Sequence, residues 1–178
     1  MKREKSSLIS SLILNKILIY KLAIFATLLG IGVIAPFFKQ QIITGTIVNA
    51  SFFVGVMLVG VQATILLGLL PSLFALWTGL LPGILAPMIP FIMTGNTILI
   101  ITFAYLRKRN YWLAAIISSF FKFVFLFLIS QIVINLIIKK EIATKVAVMM
   151  SWPQLLTALA GAFIAYFFLA SLKQNWQN

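Results

Sequence analysis

The sequence predicts an all-α integral membrane protein: six transmembrane helices in one compact bundle, with N- and C-termini cytoplasmic. Three observations carry that expectation. Hydrophobic residues make up 62% of the chain and charged residues 9%, where a soluble domain carries roughly 25% charged residues. The mean hydropathy is +1.13. The apolar residues fall in runs close to the roughly 20 residues that cross a bilayer, and proline, glycine and basic clusters punctuate them. Six such runs leave no room for a soluble domain, so residues 1–178 read as a single membrane domain.

The first twenty residues mix Lys2, Arg3, Lys5 and Lys16 with apolar side chains. The long apolar run after Lys21 is followed by no small-residue cleavage site, so this part reads as an uncleaved cytoplasmic tail. Ser7–Leu14 would form a short interfacial helix. The first span covers about 17–38 and ends at Pro36, which breaks a helix. Lys39, Gln40, Gln41 and the Thr44–Gly45 turn read as a polar outer loop and a gate. The next apolar stretch is too long for one span. Gly60, Gln62 and Gly68 interrupt it, and it divides into 46–59 and 61–80, both short or kinked. The fourth span, 83–106, opens through Pro82, Pro87 and Pro90, so its first turns should be irregular. Arg107, Lys108, Arg109 and Asn110 end it. The fifth span is 111–138, closed by Lys139 and Lys140. The sixth, about 150–172, is entered through Trp152–Pro153.

Loop charge orients the bundle. With six spans and the N-terminus inside, nine basic residues face the cytoplasm: Lys2, Arg3, Lys5, Lys16, Lys21, Arg107, Lys108, Arg109 and Lys173. Four lie outside: Lys39, Lys139, Lys140 and Lys145. A five-span arrangement gives the weaker bias of eight against five. The net charge of +12 is therefore read as orienting and lipid-facing charge on the bilayer rather than a nucleic-acid surface.

Composition also removes classes of chemistry. The chain has no His and no Cys, and its only acidic side chains are Glu4 and Glu141. Zinc, copper and iron–sulfur sites lose their usual ligands. Neither a Ser-His-Asp triad nor a carboxylate pair can be assembled. The expectation is no enzyme, no metal and no cofactor.

Polar residues inside hydrocarbon each require a partner. Lys122 lies about eleven residues into the fifth span, too deep to snorkel, where a lysine costs roughly 2.5–3.5 kcal/mol. It either packs on carbonyls and water or meets an anionic or carbonyl group of a ligand. Ser118 lies one turn before it on the same face, with Phe121 and Phe125 as candidate apolar walls. Asn96, beside Gly95, suits a helix–helix hydrogen bond and a ligand contact equally. Gln62 and Gln131 share that ambiguity. Asn49 and Gln154 sit near the outer ends of their spans. Trp152 would stack on a flat ligand ring or anchor its helix. Trp112 and Trp176 fit an interfacial belt. In the first span, Ala23/Thr27 and Ala26/Gly30 are small-xxx-small pairs, which admit a neighbouring helix closely.

The segments QIITGTIVNASFF (Gln41–Phe53) and GLLPSLFALWTGLLPGILAPMIPFIMTGN (Gly68–Asn96), with FFKFVFLF around Lys122, carry a resemblance extending over about residues 23–129. Leu85-Ala86-Pro87-Met88-Ile89-Pro90 is its most distinctive part. The chain resembles the substrate-binding S component of an energy-coupling factor (ECF) vitamin transporter, in a branch whose substrate is not settled. The resemblance implies a solute, a vitamin or related precursor, held between the outer loops and the outer halves of the later helices. Lys122, Asn96, Trp152, Gln154, Asn49 and Ser118 are the candidate contacts. It implies a transmembrane T component and two cytoplasmic ATPase subunits as partners, in the cell membrane of a prokaryote. The family's Ala-xxx-Ala docking motif is matched only approximately by Ala23-xxx-Thr27 and Ala26-xxx-Gly30. The N-terminal His of the family's nickel and cobalt members is absent. From the residues alone, a small channel or a ligand-free structural or assembly protein stays open.

Overall fold

Proline and glycine decide where the helices stop. The computed structural model describes residues 2–137 and 147–175. The described residues contain, in order, α1 (Lys2–Ile34), α2 (Gln41–Leu58), α3 (Val61–Trp77), α4 (Ile89–Leu106), α5 (Tyr111–Ile137) and α6 (Trp152–Asn175). Among the described residues there is no strand. Five helices are long and apolar enough to cross a membrane. The 17-residue α3 spans about 26 Å at 1.5 Å per residue, just short of a hydrocarbon core of about 30 Å. The chain is therefore an all-α, multi-pass membrane bundle.

Pro36 converts the end of α1 into a 3₁₀ turn, Ala35–Phe38, which closes when the Lys39 N–H donates to the Pro36 carbonyl at 3.1 Å. Gly60, at φ +111°, ends the turn after α2 and starts α3; the left-handed half of backbone space suits a residue without Cβ. The proline-rich segment is irregular as expected, a 3₁₀ stretch at Gly83–Met88 that hands over to α4 with Pro90 in its first turn. There the missing N–H costs nothing. Pro153 occupies the equivalent place in α6.

Three expectations are corrected. α1 is continuous from Lys2, so Ser7–Leu14 forms no separate interfacial helix. α2 starts at Gln41 as soon as Lys39 has turned the chain, and packing in the bundle outweighs the low helix propensity of Ile42, Ile43, Thr44 and Gly45; the expected Lys39–Gly45 loop shrinks to Lys39 and Gln40. α3 ends at Trp77, three residues early, and Gly79, at φ +75°, follows it. Ile138, Lys139, Lys140, Glu141, Lys145 and Trp176 lie outside the described residues.

α2 is the central helix: 56% of its apolar window is buried, against 11% for α1 at the periphery. Glycines set the closest approaches. A Cβ on Gly161 would stand 2.7 Å from the Ala50 nitrogen and 2.9 Å from the Thr46 carbonyl oxygen, so α6 lies directly on the backbone of α2. Gly45 meets Thr157 across the same seam. Without a hydrophobic force between helices in lipid, such contacts supply the association. At the lower end, near Arg107, the Tyr111 hydroxyl donates to the Ala162 carbonyl at 2.7 Å. Phe103, Tyr111, Trp112 and Tyr166 stack around it. Leu81, Leu85, Met88, Ile89, Val133 and Met150 close a second apolar cluster at the upper end.

Gly161→Ala should therefore force α2 and α6 apart and cost about 1–3 kcal/mol. Gly30→Ala, where a Cβ meets nothing within 4 Å, should stay within about 0.5 kcal/mol of wild type. Unfolding in detergent, followed by circular dichroism, compares the two.

Candidate functional site

Lys122 places its ammonium inside the bundle. It lies eleven residues past the start of α5, about 17 Å along the helix, which is near mid-membrane. The residue is 3% exposed, and its Nζ donates to Asn49 Oδ1 on α2 at 2.7 Å. The Asn49 amide is fixed in turn: Nδ2 donates to the Gly45 carbonyl at 2.8 Å and reaches Thr157 Oγ1 on α6 at 3.4 Å. Thr157 Oγ1 donates to the Gln154 carbonyl at 3.2 Å. The glycine seam thus sets the position of Asn49, and Asn49 sets the position of the ammonium. The Phe52 ring lies 5.9 Å from Nζ, within range of a cation–π attraction.

An ammonium has three donors. Among the described residues Asn49 Oδ1 is its one hydrogen-bond acceptor, and that acceptor is neutral. The remaining capacity faces a cavity of about 100 Å³, several times the roughly 10–15 Å³ one water needs. α2 lines it with Gln41, Thr44, Gly45, Val48 and Asn49, and α3 with Pro71, Ser72 and Ala75. Leu80 and Leu81 follow from the connection after α3, and Ile92 and Asn96 from α4. Met149, Met150 and Gln154 complete it. All lie in the half of the bundle remote from Arg107–Arg109.

Proline explains part of the wall. Pro71 sits inside α3, where it removes one intrahelical hydrogen bond and crowds the preceding turn. Asn96 Nδ2 donates to the Gly68 carbonyl in that turn at 2.8 Å, next to the Leu67 carbonyl that loses its helical donor at Pro71. The next residue, Ser72, is 5% exposed, and its Oγ has no hydrogen-bond partner. It is a buried hydroxyl with unused capacity at the cavity wall.

Over the upper end lies the segment 147–151. The Met149 carbonyl accepts from Gln41 Nε2 at 2.7 Å and from Gln154 Nε2 at 3.1 Å. Two amides, from α2 and α6, hold this segment in place. Gln41, expected in a mobile gate, is a wall residue, and Thr44 Oγ1 anchors the same turn by donating to the Ala35 carbonyl at 2.9 Å.

Comparison with protein-family models, with curated proteins and with solved structures finds no match.

The structure gathers four of the six candidate contacts, Lys122, Asn49, Asn96 and Gln154, around one cavity. Asn49 is 1% exposed, although its position is near the outer end of its expected span. Trp152 does not line the cavity: it is 57% exposed, because Pro153 takes the inward position in the first turn of α6. Ser118 is fully buried and donates to the Ala115 carbonyl at 3.2 Å. It lies one turn from Lys122 toward the basic end, away from the cavity. Phe121 is 51% exposed, and neither it nor Phe125 lines the cavity; the ring beside the ammonium is Phe52. Gln62 and Gln131 are exposed outside the cavity. Ser72, Met149 and Met150 were missed, and Gln41 was read as part of an outer gate rather than of the wall. Gln41 alone carried a sequence signal, as a polar residue beside an apolar run.

Asn49→Ala strands the ammonium, so it should destabilise the protein by about 1–3 kcal/mol or more. Adding Lys122→Met removes the stranded charge, and the double variant should melt above Asn49→Ala alone. Thermal unfolding of the four proteins of this cycle checks it.

Proposed function

We propose that the chain is the substrate-binding subunit of an ECF-type importer, capturing a small organic solute such as a vitamin or related precursor. One observation carries this reading: a buried, incompletely partnered ammonium faces a cavity in the half of the bundle opposite the Arg107-Lys108-Arg109 turn. The positive-inside rule assigns that turn to the cytoplasm, so the cavity belongs to the outer leaflet and takes its solute from outside. Both termini are then cytoplasmic, in the plasma membrane of a prokaryote. The chain needs no catalytic machinery of its own. A transmembrane T component and two cytoplasmic ATPase subunits supply the energy.

The docking face in this reading is α1. Ala23, Ala26 and Thr27 are exposed, and nothing approaches a Cβ built on Gly30 within 4 Å. The same helix buries Leu28 against its neighbours, so the small residues form an outward groove that a second helix can enter closely.

The Lys122–Asn49 bond favours a second reading, in which the cation only ties α2 to α5 in a ligand-free structural protein. Purification decides between the two. The importer reading requires recovery of the full chain with a T component and ATPases, together with a solute identified by mass spectrometry. A lone chain free of any small molecule would establish the structural role.

Ala26→Trp should abolish recovery of the partners while the isolated chain keeps its solute; assembly that survives the bulk would place docking elsewhere. A reporter fused after Asn178 should report a cytoplasmic location, and an external one would overturn the orientation.

A further inference from the structure

The lining of the cavity is specific enough to name a ligand class. We infer that the cavity takes a small aliphatic monocarboxylate, its carboxylate on Lys122 and its chain against the aliphatic wall. This rests on the reading of the chain as a solute-binding subunit.

Charge is the first argument. Among the described residues Lys122 is the cation lining the cavity, and its protein acceptor, Asn49 Oδ1, carries no charge. A charge in a dry interior is stable when an opposite charge meets it. One ammonium balances one carboxylate. A phosphate ester carries close to two charges and calls for a second cation or an arginine fork. Arg107 and Arg109 lie at the other end of α4, beyond reach. Ser72 Oγ, buried and unpartnered on the wall formed by α3, adds a neutral donor for a second oxygen.

Shape is the second argument. The apolar wall is Val48, Ala75, Leu80, Leu81, Ile92 and Met150. No Phe, Tyr or Trp lines the cavity among the described residues. A flat heteroaromatic solute has no ring to stack on there. Trp77 and Trp152 are 76% and 57% exposed, and Trp112 stacks at the lower end. The small volume suits a short chain, and the flexible thioethers of Met149 and Met150 adapt to its length.

The test uses the full chain in lipid nanodiscs, with hexanoate, its neutral isostere hexanamide, benzoate and inorganic phosphate as probes. Hexanoate should raise the melting temperature with a saturable dose dependence and bind at least tenfold more tightly than the other three. Lys122→Met should remove that preference, and Ser72→Ala should weaken hexanoate severalfold. Asn49→Asp supplies an internal carboxylate to the ammonium. It should abolish hexanoate binding while the protein stays folded, which separates loss of the site from loss of the fold. Equal binding of hexanamide, tighter binding of benzoate or phosphate, or wild-type hexanoate binding by Lys122→Met or Asn49→Asp would overturn the assignment. Mass spectrometry of the co-purified solute separates the two levels of inference. A solute of another class overturns the carboxylate and leaves the binding subunit standing. A chain that binds no probe, carries no solute and assembles with no ATPase overturns both.

Discussion

The structure depends on one hydrogen bond, from the Lys122 ammonium to Asn49 Oδ1. In water a lysine needs no such arrangement. At mid-membrane there is no solvent to take its charge, and the side chain is too far from either surface to reach one. Everything around it follows from that constraint. An acceptor must be brought within 2.7 Å, so α2 must stand beside α5. The acceptor must be rigid, so its amide is held by the Gly45 carbonyl and Thr157. Thr157 must be close, so α6 crosses α2 on the glycines Gly45 and Gly161. The chain of requirements runs from one charge to the packing of three helices.

The same logic explains why polar residues are sparse but not scattered. Each interrupted ladder or buried hydroxyl in hydrocarbon has to be answered from inside the protein. Ser51, Thr64 and Ser118 donate to carbonyls three or four residues earlier in the chain, and Thr44 donates to the Ala35 carbonyl in the turn after α1. Asn96 answers the turn before Pro71 in α3. Ser72 is not answered. The Lys122 ammonium is answered only by a neutral oxygen. Those two incompletely satisfied groups share one cavity, whereas Ser119 Oγ and Arg107 Nε, also buried without partners, lie outside it.

Much of the helix pattern was legible in the sequence, because proline, glycine and basic clusters mark most of the helix boundaries, although Pro71 sits inside α3. Pro36, Gly60, Pro87 and Pro90, and the Arg107–Asn110 run, each mark a real break. The end of α3 was misplaced even though Gly79 follows it, and the start of α2 was misplaced where no such residue stands. Gln40 and Gln41 look alike in sequence, yet Gln41 is the first residue of α2 because the chain has finished turning at Lys39. Lys122 was legible as a site by cost alone. Its partner was not, since Asn49 lies 73 residues away and an asparagine at that position reads as a solvated end. Periodicity brought Ser118 to the face of Lys122, but it could not say on which side of the lysine the cavity opens.

Trp152 shows why a residue type alone cannot name a ligand. An aromatic side chain near the mouth of a bundle fits an anchor and a stacking platform equally well in sequence. The outcome is decided by the proline after it. Pro153 fills the inward position of the first turn of α6, and Trp152 is turned out to 57% exposure. The cover of the cavity is then made by the Met149–Met150 segment, hung from Gln41 and Gln154 through one carbonyl. A single carbonyl holding two amides is a weak clasp compared with the buried bond beneath it, because side-chain hydrogen bonds to neutral groups contribute only about 1 kcal/mol each. The bundle is therefore firm at the level of Lys122 and light at its upper end.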